Sequence, residues 1–198
     1  MTVGHDLLSL RPAGGFGMVM ADPPWAFLTR APAQDTRGPD RHYECLTLDA
    51  IKAMPIPHVV ARSCWLWLWA TNPMLPEALA VMAAWGFTFK TAGHWAKLGP
   101  SGKLAFGTGY VLRNSGEPYL IGSRGKPRVC SRAVRSVILA PRREHSRKPD
   151  EAYRDAELLG GEVPRLDLFS RQARPGWTAW GNETHKFTPA PETPAAAA

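Results

Sequence analysis

The sequence predicts an α/β fold, with a mixed, mainly parallel sheet and helices on both faces. Residues 64–70 (CWLWLWA) are apolar at every position, which is typical of a central strand covered on both sides. Residues 72–86 carry prolines near their start and a glycine at their end, the asymmetry expected of helix signals. Strand-like and helix-like segments alternate along the chain, and this alternation indicates the α/β class.

The first elements follow in order from the start of the chain. Residues 16–21 form a short apolar run that ends at Asp-Pro-Pro, which predicts a buried strand leading into a loop. Residues 26–41 are rich in Pro, Gly, Asp and Arg and have no periodicity, so we expect a long functional loop there. Residues 48–53 predict a short helix that ends before the central strand.

The second half of the chain predicts more strands and one more helix. The expected strands are 87–99 (as one strand or two), 117–125, 133–141, 164–170 and 176–182. Residues 99–116 are glycine-rich and predict a loop that contains a short helix. Residues 146–160 predict a helix with Ser146 as a candidate N-cap and acids in its first turn. Ligands bind at the carboxyl ends of strands in such sheets, so we expect the site beyond residues 21 and 170.

The length and composition predict a single globular domain. The 198 residues suffice for one sizeable core, and we assign residues 16–187 to it. Residues 1–15 are expected to be a flexible lead-in, and the Pro/Ala-rich residues 188–198 a disordered tail.

The charge and the cysteines limit the class of protein. The net charge of +7 favours an acidic partner such as nucleic acid, against the alternative of a merely soluble basic protein. The three cysteines are far apart, so they predict neither a disulfide framework nor a metal site. Because the chain has no signal-like start and no long apolar stretch, we expect a cytoplasmic protein without a membrane partner.

The stretch MADPPW, which ends at Trp25, carries the clearest chemistry. An exocyclic base amine becomes a better nucleophile when acceptors face its two N–H bonds. The carboxylate of Asp22 and the carbonyl of Pro23 can be those acceptors, and Pro24 restricts the residue before it. Trp25 can stack on an extruded base. The alternative is an ordinary turn after a strand, with Trp25 in the core.

Several further segments make the chain resemble a known family. MADPPW, WLWLWATN, GHWAKLG, GTGYVLRNSGEPYLIGSRGKP, SRKPDEAYR and LDLFSRQARPGWTAWGNE occur in that order over residues 16–183. They resemble the motifs of the MTA family of adenine-N6 methyltransferases, typified by the catalytic subunit of the eukaryotic messenger-RNA adenosine methyltransferase. The chain is identified as a bacterial or phage member of that family.

The resemblance implies a Rossmann-like fold that uses S-adenosylmethionine, with the β-type permuted order in which the catalytic strand precedes the cofactor strand. It implies that Asp22, Pro23, Pro24 and Trp25 form the catalytic motif. It also implies cofactor-binding residues: Ala21 and Asp22 beside the cofactor, Lys148 at its carboxylate, Asp167 at the ribose hydroxyls, and Phe169, Arg171, Asn182 and Glu183.

The chain departs from the family pattern at several of these positions. Asp167 and Glu183 replace the family's Glu and Gln. The segment between Arg171 and Trp177 is shorter than the eukaryotic pattern and lacks its His-Asn pair. The intact Asp22–Trp25 motif argues against a degenerate partner subunit.

The substrate-binding residues are predicted from positive charge and from the resemblance. From Arg124 to Lys148, nine Lys or Arg stand against one acid, a density that suits a phosphate backbone, although a solvated face is the alternative. The predicted set is Trp25, Arg30, Arg37, Arg41, Tyr43, Lys97, Arg124, Lys126 and Arg128.

The sequence leaves the substrate open between two nucleic acids. We expect adenine-N6 methylation of DNA, with RNA as the first alternative and a non-catalytic nucleic-acid-binding subunit as the second. Recognition of the target then requires loops, a second copy of the chain or a partner subunit.

Overall fold

The computed structural model describes residues 5–25, 46–109, 111–144, 147–184 and 186–187. The strands are β1 (Phe16–Ala21), β2 (Val60–Trp69), β3 (Thr88–Leu98), β4 (Gly116–Arg124), β5 (Val137–Pro141), β6 (Arg165–Leu168) and β7 (Thr178–Trp180). The helices are α1 (His5–Ser9), α2 (Leu48–Lys52), α3 (Ile56–Val59), α4 (Leu75–Ala84) and α5 (Asp150–Gly160). The loop predicted at 26–41 and the tail at 188–198 lie outside the described residues.

The strands form one seven-stranded sheet in the order β5-β3-β4-β2-β1-β6-β7. β1 pairs in parallel with β2 on one side and with β6 on the other, and β7 continues in parallel from β6. Among the described strands, β4 runs against its two neighbours, β2 and β3, and the other pairings are parallel. The predicted mixed, mainly parallel sheet is therefore confirmed. The strand that follows β1 in the chain, β2, lies on one side of it, whereas β6 and β7 lie on the other, so the strand order switches sides at β1.

Helices cover both faces of the sheet, as predicted. The first face packs Val19, Leu66 and Leu166 against residues of α2, α3 and α4, such as Ile51 and Val81. The second face packs the opposite side chains of β1 and β2 against α5 and an aromatic cluster. Since successive strand residues point to opposite faces, the continuous apolar run at 64–69 supplies both cores at once.

The aromatic cluster on the second face depends on a glycine. Tyr119 stacks on Trp67 with the ring centroids 4.2 Å apart and meets Trp69 edge-on at 5.3 Å. Gly93 lies in the neighbouring strand opposite Tyr119, and a Cβ there would fall 2.2 Å from the phenol ring. The missing side chain at Gly93 therefore makes room for the stacked ring.

Three local predictions are corrected by the structure. Residues 5–9 form α1 and Leu7 is fully buried, so this part of the expected flexible lead-in packs on the core. The described residues of 99–115 form no helix; they hold only a short bridge between Leu98 and Leu104. The last helix begins at Asp150 with Pro149 as its N-cap, and Ser146 lies outside the described residues.

Other predicted elements are confirmed. β1 has the predicted bounds, α4 ends as predicted with Gly86 at a φ of 77°, and residues 88–98 form a single strand.

None of the described helices has the length and apolarity needed to span a membrane. Within the described residues, no cluster of three or more His, Cys, Asp or Glu side chains could hold a metal ion.

Candidate active site

A cleft opens at the carboxyl ends of β1 and β6. Its walls come from the end of β1, the start of α5, the end of β6 with the segment that follows, and residue 187. The lining residues are Asp22, Arg147, Lys148, Tyr153, Asp167, Phe169, Ser170, Arg171, Gln172, Arg174 and Phe187. The sheet order reverses at β1, so the cleft lies at the switch point where ligands bind in open α/β sheets. The cleft therefore lies at the edge of the sheet where the sequence predicts a site.

Asp22 is fixed at the mouth of this cleft by backbone and side-chain bonds. Its backbone N–H donates to the Leu168 carbonyl at 3.3 Å, which ties the residue to β6. Its Oδ2 accepts a hydrogen bond from Lys148 Nζ at 2.8 Å, and 25% of its side chain remains exposed. The carboxylate is therefore oriented by the protein and still accessible from the cleft.

Lys148 is shared between two carboxylates. Its Nζ lies 2.8 Å from Asp22 Oδ2 and 2.7 Å from Glu117 Oε1, and only 7% of its side chain is exposed. Glu117 also accepts from Lys97 Nζ at 3.0 Å. Lys97, Glu117, Lys148 and Asp22 thus form a continuous chain of alternating charge, which we call the ion chain.

The ion chain sets different pKa values for its two acids. Burial acts to raise the pKa of Glu117, but Lys148 and Lys97 outweigh it and hold that pKa below its usual value. Asp22 has one lysine rather than two, and burial, with the neighbouring Glu117 charge, raises its pKa despite Lys148. Burial acts to lower the pKa of Lys148, but the two carboxylates raise it overall. Lys148 therefore stays charged, and Asp22 is the more basic acid of the pair.

The two prolines shape the turn after Asp22. The Pro23 carbonyl accepts the Trp25 N–H at 2.8 Å, and the Pro24 carbonyl accepts the Leu46 N–H at 3.2 Å. A carbonyl oxygen has two lone pairs, so the Pro23 carbonyl keeps one for a further donor. The predicted acceptor role of Pro23 is compatible with this turn.

Trp25 lies in the core rather than facing the cleft. It is 4% exposed, it packs on the first face of the sheet, and its Nε1 donates to the Trp69 carbonyl at 3.2 Å. A ring buried to this extent presents no free face on which a base could stack. The stacking role predicted for Trp25 is therefore corrected to an anchor that holds the turn after Asp22.

Asp167 is a buried acid that lines the cleft from β6. Its Oδ2 accepts from Ser170 Oγ at 2.8 Å and from the Tyr153 hydroxyl at 3.1 Å, and the residue is 4% exposed. Burial raises the pKa of Asp167 to about 7, against the opposing effect of these hydrogen bonds and of Arg174. Near neutral pH the acid is therefore partly protonated, and it lines the cleft at the end of β6.

The MT-A70 family pattern matches residues 16–183 of the chain. The chain belongs to the MT-A70 family. This confirms the family predicted from the motifs. The match covers the ion chain, every described strand of the sheet and all the residues that line the cleft except Phe187.

Named relatives give the same result for the MT-A70 chain. It is 30% identical to the N(6)-adenosine-methyltransferase MT-A70-like protein of Arabidopsis thaliana, over 91% of this chain and 26% of that protein. It is 30% identical to the human N(6)-adenosine-methyltransferase catalytic subunit METTL3, over 86% of this chain and 28% of that protein. It is 28% identical to the mouse N(6)-adenine-specific methyltransferase METTL4, over 87% of this chain and 38% of that protein. The chain spans less than two-fifths of each of these relatives.

The remaining predicted cofactor residues of the MT-A70 chain lie in or near the cleft. Phe169 and Arg171 line it, and Phe169 packs edge-on against Trp180. Arg171 Nε lies 3.4 Å from Glu183 Oε2, so the structure brings two of the predicted residues together. Asn182 is exposed beside them and does not line the cleft. Ala21, fully buried at the end of β1, supports Asp22 from within the sheet.

Part of the predicted substrate-binding set is corrected. Arg124 pairs with Cys64 across the sheet, whereas the cleft side of β2 ends at Trp69. Because β4 is antiparallel to β2, Arg124 lies at the edge opposite the cleft, roughly 23 Å along the strand from Glu117. Lys126 and Arg128 follow it at that far edge. Arg30, Arg37, Arg41 and Tyr43 lie outside the described residues.

Sequence reasoning missed several residues that the structure brings into the site. Glu117 is an acid two residues before the apolar run Tyr119–Ile121 of β4, and that position is a usable signal. Tyr153 follows the KPDE segment by one turn of α5, on the face that meets Asp167. Gln172 and Arg174 stand in the shortened segment, where the family pattern offers no guide.

Proposed function

We propose that the chain transfers a methyl group from S-adenosylmethionine to N6 of adenine in DNA. The observation that carries the proposal is Asp22: a partly exposed carboxylate at the cleft, held by Lys148 at 2.8 Å and followed by two prolines. Membership in a family whose named relatives are N6-adenine or N6-adenosine methyltransferases supports the reaction.

The geometry suits the activation of an exocyclic amine. When the amine donates one N–H to Asp22, the lone pair of its nitrogen would be less delocalised into the ring. The carboxylate would also stabilise the positive charge that develops on that nitrogen. A second N–H can use the remaining lone pair of the Pro23 carbonyl. Because its pKa is raised, Asp22 is also suited to accept the proton that the alkylated nitrogen must lose.

The residues of the cleft fit an S-adenosylmethionine molecule. Within the described part of the chain, Arg147 Nε, Gln172 Oε1 and Arg174 Nε are buried polar atoms without a hydrogen-bond partner, and all three residues line the cleft. Such atoms are costly to leave unpaired, so a polar ligand is the natural partner for them. When bound, S-adenosylmethionine supplies an electrophilic methyl group on its sulfonium.

Several residues are proposed to hold this cofactor. Phe169 and Phe187 supply apolar surface, and Asp22 and Asp167 supply acceptors at the ends of β1 and β6. A carboxylate at a strand end that meets ribose hydroxyls is the Rossmann pattern. The roles of Asn182 and Glu183 stay predictions from the family resemblance.

The choice of DNA rather than RNA as the substrate is a separate part of the proposal. The mouse relative is named for adenine, which does not restrict the base to a ribonucleoside, whereas the plant and human relatives are named for adenosine. Those latter names support RNA as the second candidate. A cytoplasmic location, a bacterial or phage origin and a partner subunit or homodimer stay predictions from the sequence.

The test is methyl transfer from isotope-labelled S-adenosylmethionine to single-stranded DNA, duplex DNA and RNA of matched sequence, followed by nucleoside analysis. We expect N6-methyl-2′-deoxyadenosine from at least one DNA substrate, formed about 10²–10³-fold more slowly by Asp22→Asn. Methylation confined to RNA would replace DNA by RNA. A chain that binds the cofactor but methylates none of the three would contradict the enzymatic proposal and favour a non-catalytic subunit.

A further inference from the structure

The loop between β3 and β4 carries an exposed aromatic side chain at the cleft edge of the sheet. Phe106 is 80% exposed, more than any other Phe, Trp or Tyr in the described part of the chain. β3 ends at Leu98 and is parallel to β2, because both strands run against β4. The loop therefore projects from the same edge of the sheet as the cleft, which is the edge that a substrate strand must approach.

Backbone hydrogen bonds hold Phe106 in place on both sides. The Ala105 N–H donates to the Lys97 carbonyl at 2.7 Å, and the Gly107 N–H donates to the Asn114 carbonyl at 2.9 Å. A Cβ on Gly107 would lie 2.7 Å from that Asn114 oxygen, so this close approach requires the glycine. The ring is therefore exposed on a segment that is tied to the sheet, and a ligand that binds it loses little free energy in ordering the chain.

The surroundings of the ring are positively charged. The Arg113 guanidinium lies 5.4 Å from the ring centroid, within the range of a cation–π contact. The loop also carries Lys103, and residues 99–116 contain no acid. The backbone N–H of Arg142 donates to the Leu98 carbonyl, where the loop begins. An aromatic ring among cations suits an anionic ligand that has a flat apolar part, as a nucleotide does.

Stacking on this ring requires an unpaired base. The stacking surface predicted at Trp25 is absent, because that ring is buried in the core. A base inside a duplex is already stacked between its neighbours, whereas a single strand can turn one base face toward a protein ring. Contacts between cations and phosphates do not depend on this difference. An exposed Phe106 at the cleft edge therefore favours a single strand over a duplex in a way that the surrounding charge does not.

The distance from the loop to the proposed amine acceptor suits one short strand. β4, β2 and β1 follow β3 in the sheet, so Asp22 after β1 lies three strand spacings from the start of the loop, about 14 Å. A stacked strand advances about 3.4 Å per nucleotide and covers this distance in about four nucleotides. One strand can therefore present an adenine to Asp22 and a nearby base to Phe106.

We propose that Phe106 and Arg113 bind an unpaired nucleotide of the substrate strand, about four positions from the target adenine. Its base stacks on the ring and its phosphate lies near the guanidinium, so the enzyme prefers single-stranded to duplex nucleic acid. The proposal rests on the proposed function in one respect, the position of the target adenine at Asp22. The competing occupant of an exposed apolar loop is a protein surface, which would also contact Val111 and Leu112.

The test measures, by fluorescence anisotropy, the affinity of the chain for a short labelled DNA single strand with one central adenine and for the matched duplex. Phe106→Ala should weaken binding of the single strand about 5- to 150-fold, the usual cost of one lost base–aromatic stack, and should leave the duplex affinity unchanged. Phe106→Trp keeps an aromatic face and should retain the wild-type affinity. A urea titration should give the wild-type unfolding curve for both variants, because the ring is exposed.

Two matched controls separate the ring from its loop and from exposed rings in general. Phe89→Ala removes an exposed phenylalanine at the opposite end of β3, and Leu112→Ala removes an exposed apolar side chain of the same loop. Neither should change the affinity for the single strand. Arg113→Gln should weaken that affinity and reduce the slope of log affinity against log salt by about one phosphate contact.

A series of abasic strands locates the stacked base. Each nucleotide of the single strand is replaced in turn by one that lacks its base. In the wild type, one position about four nucleotides from the adenine should lose affinity. With Phe106→Ala the same replacement should cause no further loss, because the ring and the base then have no partner in each other.

Several results would overturn the proposal. An unchanged single-strand affinity of Phe106→Ala would remove the ring from the site. Equal losses for the single strand and the duplex, or for Phe106→Ala and Leu112→Ala, would show that the loop binds without stacking a base. The proposed function fails in a different way: a wild-type chain that binds the single strand through Phe106 but transfers no methyl group would contradict the methyltransferase and support the stacking site.

Discussion

Lys148 Nζ lies 2.8 Å from Asp22 Oδ2, although 126 residues separate the two in the chain. Asp22 follows β1 and Lys148 precedes α5, so the pair joins the sheet to the helix on its second face at the cleft. A third residue, Glu117 of β4, lies 2.7 Å from the same ammonium. Three segments distant in sequence therefore determine the charge state of the proposed amine acceptor.

Asp22→Asn should abolish most of the methyl transfer while leaving the fold intact. The amide keeps the shape of the carboxylate but not its charge, and loss of one preorganised electrostatic contact costs about 10²–10³-fold in rate. The free energy of unfolding should change little, because Lys148 retains Glu117 at 2.7 Å. The rate of N6-methyladenine formation and a urea titration measure the two effects. Asp6→Asn, an exposed change in α1, is the control, and wild-type turnover of Asp22→Asn would remove Asp22 from its role.

Lys148→Met should destabilise the protein. The substitution leaves Asp22 without an ammonium and Glu117 with Lys97 alone, and removal of one partner from a buried ion pair costs about 3–5 kcal/mol. The loss should be largest near neutral pH. Without the lysine the folded-state pKa values of both acids rise, so the folded state takes up protons as the pH falls and recovers stability.

Urea titrations of Lys148→Met at several pH values measure this effect. The deficit in unfolding free energy relative to the wild type should shrink from pH 8 to pH 5. Lys90→Met replaces an exposed lysine of β3 by the same side chain and should show no deficit at either pH. An equal deficit at both pH values would mean that lost packing, rather than unpaired charge, explains the change.

Asp167 predicts a second pH dependence, in the wild-type protein itself. Burial raises its pKa to about 7 in the folded state, whereas an unfolded aspartate titrates near about 3.9. Between these values the folded state binds more protons than the unfolded state, so stability falls as the pH rises through this window. Three pH units of difference correspond to about 4 kcal/mol. Asp167→Asn should make this slope shallower by the Asp167 contribution, because Asp22, whose pKa is also raised, keeps its own. Urea titrations from pH 4.5 to pH 8 without cofactor measure the difference, and parallel curves for the two proteins would contradict the assignment.

Local patterns in the sequence predict some of the helices and strands and the residues at which they end. The bounds of β1 follow from an apolar run that ends at Asp-Pro-Pro, and the end of α4 follows from Gly86, whose φ of 77° favours glycine. β2 begins at Val60, four residues before its predicted start at residue 64, because α3 ends at Val59 and the strand follows it with no loop between them. Patterns of this kind describe single elements and their ends.

The errors concern relations between elements, which a linear pattern does not contain. The basic run from Arg124 was assigned to the substrate face, but the antiparallel direction of β4 carries its start to the far edge of the sheet. The motif predicts that Trp25 stacks on a base, with a core position as the alternative; the ring reaches the Trp69 carbonyl in the core, as in that alternative. Glu117 was not singled out because only its neighbours, Lys97 and Lys148, explain an acid in that strand.

Gly93→Ala should destabilise the sheet without touching the cleft. The added Cβ would lie 2.2 Å from the Tyr119 ring, which is held by its stack on Trp67 and cannot move away freely. Overpacking of this kind costs about 1–3 kcal/mol. Gly99→Ala is the matched control, since its nearest neighbour would be the Lys103 carbonyl oxygen at 3.7 Å. Urea titration should show the loss for Gly93→Ala alone; equal curves for the two variants would mean that the aromatic cluster repacks at no cost.

The two halves of the basic run should contribute differently to nucleic-acid binding. Arg142 follows β5, whose last residue pairs with Leu98 at the cleft edge of β3, and its side chain is exposed. Arg128 is also exposed but lies at the far edge, where its carbonyl accepts the Trp65 indole N–H. Arg142→Gln should therefore weaken the binding of single-stranded DNA and reduce the slope of log affinity against log salt by about one phosphate contact. Arg128→Gln changes the same charge and should leave both quantities at their wild-type values. Fluorescence anisotropy over a salt series measures the two variants together, and a larger loss for Arg128→Gln would put the nucleic acid on the far edge of the sheet.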